Sequence, residues 1–263
     1  VGDQTAVRRT DLLTAVEMAR FAADGFLIVP DLVPTELNMA VYQDQLNIPE
    51  DKQGYHFWFN SEAIRKVFDL PRVRGIVHSL VGPNFSYNHS YLHVVKPGNL
   101  KTQNWHIDSG TMNPDPRQFD LQAFYFAHDT PLEMGPTLVL PGSHLRKTSY
   151  WAISRYKNII GQRHLAAKAG TIVFMHQDIW HCAQANQTER TRYVFKIRLD
   201  PQVQQRNLFN TDGYDSPEVL AILKESQPWS GRDYAKDAYQ KLRFWRYLTG
   251  NDAVGRSRRF RMK

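Results

Sequence analysis

The sequence predicts a mainly β domain with a helical jacket, and three observations favour this class. The 263 residues contain no Ser/Gly-rich linker, repeat or low-complexity run, so one domain is the simplest organisation. Hydrophobic residues make up 42% of the chain, which is enough for a large core. Short apolar or alternating segments fill the middle of the chain, and helical patterns flank them. We therefore predict one domain over residues 1–255, with a strand core at about 85–200 and a flexible basic tail at 256–263.

Helical spacing dominates the N-terminal third. Residues 11–24 alternate at helical period, and Gly25 is a suitable stop signal before a short strand at 26–29. A second helix is predicted at 34–46, because Pro34 suits a helix start. Two short helices at 61–68 and 73–81 are expected to be split by Pro71.

Strand signals begin near Phe85 and continue to Leu199. The predicted strands are 85–95, 121–127, 137–140, 168–175 and 192–199. Two further helices are expected at 216–225 and 233–248. In the last helix, Tyr239, Leu242 and Trp245 or Arg246 would form one stripe that docks on the sheet.

The motif His106-Ile107-Asp108 is the strongest chemical signal in the chain. On an extended strand, side chains at i and i+2 point to the same face, so both ligands would reach one ion while Ile107 turns away. Two histidines and one carboxylate form the facial triad of non-heme Fe(II) sites. H-x-D alone is weak, however, and the chain also contains His176-Gln177-Asp178.

A third ligand is available at His181, which follows the strand predicted at 168–175. Arg192 begins the next predicted strand, and its guanidinium suits a carboxylate. We expect two neighbouring antiparallel strands to bring His181 and Arg192 into one cavity. Together with His106 and Asp108, these residues predict an iron enzyme that uses a keto acid and oxygen.

These residues and several flanking motifs resemble the phytanoyl-CoA dioxygenase family of Fe(II)/2-oxoglutarate oxygenases. The likeness runs from about Phe21 to Leu199. It includes Trp105-His-Ile-Asp108, the segment from Gly135 that ends in Pro-Gly-Ser-His144, the strand before His181, and Asn186 followed by Arg192. Some relatives have Ser or Thr two residues after the distal histidine, where this chain has Ala183.

The resemblance implies a double-stranded β-helix, that is, a cupin-like jelly-roll barrel with N-terminal and C-terminal helices outside. It implies that His106, Asp108 and His181 bind Fe(II) and that Arg192 binds the far carboxylate of 2-oxoglutarate. Gln103 is a further cosubstrate candidate, in the cavity or at its rim, and Thr137 is either a contact or an ordinary strand residue. The implied reaction consumes O2 and 2-oxoglutarate, releases succinate and CO2, and oxidises a C–H bond of a small molecule. Halogenating relatives have a small residue in place of the carboxylate, so Asp108 favours hydroxylation, desaturation or ring formation over halogenation; of these, hydroxylation is the expected reaction.

Charge and cysteine content limit the remaining possibilities. The net charge is +7, but residues 256–263 contain five cations and no acid, so most of the excess belongs to this tail. The tail keeps a nucleic-acid-modifying oxygenase open as an alternative, although nucleic acid is not the expected partner. A non-catalytic metal- or ligand-binding jelly roll is the other alternative. The single cysteine, Cys182, excludes an intrachain disulfide and fits a buried position. It also fits a reducing, cytoplasmic setting, and no signal peptide or membrane span is expected.

Overall fold

The computed structural model describes residues 7–109, 115 and 117–254. The N-terminal part of this region is mainly helical. Its elements are α1 Ala15–Asp24, β1 Phe26–Val29, α2 Thr35–Asn47, α3 Phe57–Asn60, α4 Glu62–Asp69 and α5 Pro71–Val81. The remaining elements are β2 Ser86–Val95, β3 Leu121–Phe126, β4 Leu138–Val139, α6 Tyr150–Ile153, β5 Arg163–His164, β6 Thr171–His176, β7 His181–Cys182, β8 Arg192–Asp200, α7 Pro217–Lys224 and α8 Tyr234–Thr249.

Helix α1 shows why the first predicted elements form. Thr14 and Glu17 form a reciprocal capping box, so the helix begins after Thr14 and not at Asp11 as predicted. Gly25 ends the helix at a φ of +83°, a conformation that glycine adopts without a steric penalty. Strand β1 follows at once, with the predicted bounds. Pro71 does not lie between two helices as expected; it occupies the first turn of α5, where its missing N–H costs nothing.

The strands form two antiparallel sheets. The larger has the order β1-β6-β3-β8-β2, and the smaller has the order β5-β4-β7. Both faces of the large sheet are buried, and side chains alternate between them. Leu121, Ala123 and Tyr125 of β3 join the core beneath the helices, whereas Phe124 and Phe126 join a second core. The second core takes side chains from β1, β3, β6 and β8 of the large sheet and from β4 of the small sheet, so the two sheets pack face to face.

This arrangement corrects the predicted fold class in one respect. Helices occupy more of the described residues than strands do, so the fold is mixed and not mainly β. The long N-terminal and C-terminal helices cover the large sheet and account for the difference. Strand pairing gives two separate sheets, so it does not confirm the predicted barrel.

The C-terminal helices pack on the core beneath the helices, but with a different stripe from the predicted one. Leu242, Trp245 and Leu248 of α8 are buried, whereas Tyr239 is 60% exposed. Leu242 and Trp245 were therefore correct and Tyr239 was wrong. None of the described helices is long and apolar enough to cross a membrane. The predicted tail at 256–263 lies outside the described residues, and the single domain over 1–255 stays a prediction.

Candidate metal centre

His106 and Asp108 lie beside strand β7, although not on a regular strand as predicted. His106 forms an isolated antiparallel bridge with His181, in which each backbone N–H donates to the other residue's carbonyl at 3.0 and 2.9 Å. Asp108 lies in the turn that follows. Ile107 is buried in a separate apolar cluster with Trp105 and Cys182. The backbone bridge therefore brings the two predicted histidines together.

Three side chains converge at this bridge. Among the residues that the structure describes, His106, Asp108 and His181 form the one cluster of metal-ligating types whose ligand atoms all lie within 4.8 Å of one another. The Oδ1 atom of Asp108 lies 3.7 Å from Nε2 of His106 and 3.8 Å from Nε2 of His181. This geometry could hold one metal ion.

Backbone carbonyls fix the tautomer of both imidazoles. Nδ1 of His106 lies 2.8 Å from the carbonyl oxygen of Asn104, and Nδ1 of His181 lies 3.0 Å from that of Ile179. A carbonyl only accepts, so each Nδ1 must carry a proton, and in the neutral form of each ring the lone pair lies on Nε2. Burial lowers the pKa of His181 to about 4, which keeps this imidazole neutral at physiological pH.

Asp108 has a second partner that the sequence did not single out. Nζ of Lys196 donates to Oδ2 of Asp108 at 2.8 Å, and both side chains are largely buried. Burial alone would raise the pKa of Asp108. The neighbouring His181, Lys196 and His106 outweigh that effect, so the pKa is held below its ordinary value. The carboxylate is therefore charged, with Oδ2 bound to Lys196 and Oδ1 facing the two imidazoles.

The three residues open onto a cavity between the two sheets. The described residues enclose about 270 Å³, slightly below the usual range of about 300–1,000 Å³ for ligand sites. Gln103, Thr137 and Arg192 line it together with His106, Asp108 and His181, so all six predicted site residues lie on one cavity. Lys196, which was not predicted, lines it too. His181 and Arg192 do not come from neighbouring strands as expected. β7 belongs to the small sheet and β8 to the large one, and the cavity lies between them.

Arg192 lies in the cavity wall with unused donors. It is only 3% exposed. Nη1 donates to the carbonyl oxygens of Met134 and Gln184 at 3.0 and 3.4 Å, while the buried Nε has no partner. Burial lowers the pKa of Arg192 to about 10, so the side chain still carries its charge at neutral pH. A buried cation with an unpaired donor is costly unless an anion occupies the space beside it.

Gln103 and Thr137, the two further cosubstrate candidates, differ in their contacts. Oε1 of Gln103 accepts from the backbone N–H of Ala183 at 3.0 Å, so its carbonyl group bridges the rim to the strand at His181. Thr137 is 8% exposed and faces the cavity beside β4. Ala183 also lines the cavity, where it supplies no hydroxyl group.

The other motifs support the site from outside it. In the Pro-Gly-Ser-His block, the hydroxyl of Ser143 accepts from the backbone N–H of Trp180 at 2.9 Å, directly before His181. His176 of the second H-x-D motif packs on His144 and on Phe119, which belongs to the core beneath the helices. Cys182 is buried in an apolar cluster, as predicted, and burial raises the pKa of its thiol to about 12.

Comparison with known protein families agrees with this geometry. The model of the phytanoyl-CoA dioxygenase family matches residues 5–194. The chain belongs to the phytanoyl-CoA dioxygenase family. The match includes all three clustered residues and Arg192. No curated protein sequence matches the chain.

Solved structures of non-heme enzymes share the fold of this family member. SnoK, an alpha ketoglutarate dependent carbocyclase from nogalamycin biosynthesis, is 20% identical, with 74% of this chain and 87% of SnoK covered at a TM-score of 0.58. The epimerase SnoN, in complex with Fe3+, alpha ketoglutarate and nogalamycin RO, is 18% identical, with 71% and 84% covered at 0.55. HygX from Streptomyces hygroscopicus, with nickel and 2-oxoglutarate bound, is 14% identical, with 79% and 93% covered at 0.58.

Proposed function

We propose that this protein is a non-heme Fe(II)/2-oxoglutarate-dependent dioxygenase that hydroxylates a C–H bond of a small molecule. In this proposal His106, Asp108 and His181 bind the iron, and Arg192 binds the far carboxylate of 2-oxoglutarate. Gln103 and Thr137 are proposed as secondary contacts of the cosubstrate. The observation that carries the proposal is a clustered His-Asp-His set and a partly unpaired buried guanidinium on the same cavity.

The residues fit both groups on their chemistry. Two neutral imidazoles and one carboxylate are suitable donors for Fe(II). Each imidazole has its Nε2 lone pair available, because a carbonyl engages the opposite nitrogen. Arg192 keeps Nε free for an anion in a site from which water is largely excluded. The bound forms of SnoN and HygX, which contain a metal and the keto acid, support the same assignment by likeness of fold.

The protein's own part in the reaction is binding and exclusion of water. Bound iron and 2-oxoglutarate would supply the oxidation, in which O2, 2-oxoglutarate and R–H give R–OH, succinate and CO2. Lys196 holds Oδ2 of Asp108, which leaves Oδ1 directed towards the imidazoles. Arg192 would orient the cosubstrate by its distal end. The packed core between the sheets keeps bulk water from the other side of the cavity.

Two features support the proposed substrate size and reaction. A cavity of about 270 Å³ suits a small molecule better than an exposed nucleic-acid strand. Asp108 stands where halogenating relatives have a small residue, which favours hydroxylation, desaturation or ring formation over halogenation. The structural neighbours include an epimerase and a carbocyclase, so hydroxylation is a proposal about this chain and not a property of the fold.

One contact favours a second candidate function. Lys196 already neutralises Asp108, as in a structural ion pair that requires no metal. A non-catalytic ligand-binding module would retain this pair. It would not require a divalent metal for 2-oxoglutarate to bind, whereas the proposed enzyme does.

The test combines binding with turnover. Binding of 2-oxoglutarate is measured by calorimetry with and without Ni(II), and succinate is measured with Fe(II), O2 and a panel of small acids, amino acids and alcohols. We expect metal-dependent binding and panel-dependent succinate, both lost in His106→Ala and retained in the exposed control His164→Ala. Equal affinity for 2-oxoglutarate with and without Ni(II), or full activity of the His106→Ala variant, would refute the proposal.

A further inference from the structure

The inner face of strand β3 has a polar side chain, that of Gln122, just beyond the cavity wall. In register, Gln122 pairs with Met175 of β6 and with Arg198 of β8. Side chains two residues apart on a strand share a face, and Phe124, two residues further along β3, lines the cavity. Met175 and Phe124 both belong to the core between the two sheets. Gln122 therefore points into the same space between the sheets.

The amide of Gln122 is buried without a hydrogen-bond partner. The side chain is 0% exposed, and neither Nε2 nor Oε1 has a partner. An unpaired buried amide costs free energy that an apolar side chain of similar shape does not. Met175 occupies the paired position on β6, so the sheet accepts such a side chain at this level. The amide is therefore suited to a partner from outside the chain.

Arg198 connects Gln122 to the proposed metal ligand Asp108. It is the cross-strand neighbour of Gln122, and its Nη2 donates to the backbone carbonyl oxygen of Asp108 at 3.3 Å. Nε of Arg198 is also buried without a partner. Two neighbouring side chains thus have unpaired polar atoms, and one of the two contacts Asp108.

Gln122 lies at the end of the sheet away from Arg192. Along β8, Arg192 is followed by Lys196, which donates to Oδ2 of Asp108, and then by Arg198. Six residues of extended strand span about 20 Å. A 2-oxoglutarate molecule that reaches from Arg192 to the metal would leave Gln122 to the second reactant.

The charges beside Gln122 do not favour an anion. The cation of Lys196 is bound to Asp108, and the cation of Arg198 interacts with Asp120. Burial raises the pKa of Asp120 to about 6, so this carboxylate is largely charged at neutral pH. Within the part of the chain that the structure describes, both cations beside Gln122 thus have a carboxylate already. A neutral partner fits Gln122 better than an anion does.

We infer that the molecule oxidised by this protein carries a neutral carboxamide, which pairs with the side-chain amide of Gln122 on the side of Asp108 away from Arg192. The inference rests on the proposed function, since it assumes that 2-oxoglutarate occupies Arg192. Two amides can exchange N–H···O bonds in both directions, so a carboxamide satisfies Nε2 and Oε1 together. Nε of Arg198 is a further donor for the same carbonyl. Side chains commonly rearrange on binding, so an amide that is buried in the ligand-free protein can become a ligand contact.

The test uses protein saturated with Ni(II) and 2-oxoglutarate at neutral pH. Benzamide, acetophenone and benzoate are titrated as probes, with affinity measured by ligand-observed NMR. Acetophenone keeps the carbonyl acceptor without the N–H donors, and benzoate adds a negative charge. All three have a ring, which suits the neighbouring Phe124 and Met175. We expect benzamide to bind at least fivefold more tightly than either of the other two.

One variant and a matched control locate the contact. Gln122→Met removes the amide and keeps the length of the side chain. It should weaken benzamide binding by about 5- to 150-fold, the range for two neutral hydrogen bonds, so that benzamide no longer binds more tightly than acetophenone. Ni(II) and 2-oxoglutarate affinities should stay within threefold. Gln45 is also 0% exposed with an unpaired amide, but it lies on α2, which packs against α4; Gln45→Met should keep every affinity.

Thermal stability separates a ligand contact from a structural role. Because the amide of Gln122 is unpaired in the ligand-free protein, Gln122→Met should leave the melting temperature unchanged or higher. An amide that the fold itself requires would give a variant that melts at a lower temperature or does not fold. Either of these results would overturn the inference.

The outcomes separate the two proposals. If Ni(II) and 2-oxoglutarate bind but benzamide does not exceed both other probes, or keeps its preference in Gln122→Met, the inference is overturned and the proposed function stands. If Gln122→Met weakens 2-oxoglutarate binding more than threefold, the amide serves the cosubstrate, and the inference is again overturned. If Ni(II) and 2-oxoglutarate do not bind together to the wild-type protein, the proposed function fails and the inference fails with it.

Discussion

Replacing Arg192 gives the most informative single perturbation of the cavity. Nη1 is engaged by two backbone carbonyls, so Nε and Nη2 are the donors left for a carboxylate. Two charge-assisted hydrogen bonds contribute about 1.5–3 kcal/mol each. Arg192→Met should therefore weaken 2-oxoglutarate binding by about 3–6 kcal/mol, or roughly 150- to 25,000-fold. Arg192→Lys keeps one bond and should lose about half of that free energy.

Calorimetry on the Ni(II)-loaded protein measures these affinities directly. Stability provides a separate control, because Arg192 is a buried cation with an unpaired Nε in the ligand-free protein. Its removal should leave the melting temperature of the ligand-free protein unchanged or higher. The exposed Arg190→Met is the matched control and should bind 2-oxoglutarate normally. An Arg192→Met protein that binds 2-oxoglutarate within threefold of wild type would refute the reasoning.

Three further predictions concern the metal, the backbone and pH. Asp108→Asn should weaken Ni(II) binding at least 100-fold in a chelator competition, because it removes the one anionic group of the proposed ligand set and leaves Lys196 unpaired. An unchanged Ni(II) affinity would exclude Asp108 from the metal site. Gly135→Ala would place a Cβ 2.0 Å from the carbonyl oxygen of Ala185, so it should destabilise the folded protein by several kcal/mol. Gly98 has a similar φ but nothing within 4 Å, so Gly98→Ala should cost only about 1–2 kcal/mol. Equal losses of stability in thermal melts of the two variants would contradict this prediction. Burial lowers the pKa of His128, whose Nε2 accepts from the backbone N–H of Tyr193. The unfolding free energy should therefore fall as the pH drops below about 6.5. This fall should be less steep in His128→Gln than in the exposed control His164→Gln. Equal slopes in urea titrations would argue against His128.

The sign of the pH effect follows from proton uptake. The unfolded chain protonates His128 near its ordinary pKa, whereas the folded protein resists protonation until a lower pH. Between these two values the unfolded state binds more protons, so acid favours unfolding. Above the ordinary value both states are neutral at this residue, and its contribution is fully present. The amide introduced by His128→Gln would retain an acceptor for the N–H of Tyr193 without titrating.

Local sequence patterns predicted the clustered His-Asp-His residues and most elements. The bounds of β1 follow from Gly25 and an apolar run, and Cys182 is buried as expected from its type. The H-x-D spacing correctly brings His106 and Asp108 together, although through a bridge and a turn instead of a strand. The i, i+2 spacing therefore predicts that the two side chains lie close together, but it does not determine the backbone conformation between them.

Tertiary packing determines the features of the fold that the sequence patterns did not predict. The sheet to which β7 belongs depends on its hydrogen bonds to β4, and nothing local to His181 encodes that partner. The stripe on α8 was wrong at Tyr239, because both Lys241 and Phe244 are buried and rotate the packed face. Lys241 enters the interior because its Nζ donates to the carbonyl of Glu225, a partner 16 residues away.

Lys196 is a residue of the candidate site that sequence reasoning missed. A signal was available, since Arg192 and Lys196 lie four residues apart and so face the same side of one strand. Two cations on the interior face of a strand require anionic partners. Asp108 satisfies one of these cations, and the partner could not be named without the structure.

A crystal structure of the protein with Ni(II) and 2-oxoglutarate tests the central claim most directly. We predict one anomalous peak within bonding distance of Nε2 of His106, Nε2 of His181 and Oδ1 of Asp108, with the distal carboxylate of 2-oxoglutarate on Arg192. A peak at any other cluster, or 2-oxoglutarate bound away from the guanidinium, would contradict it.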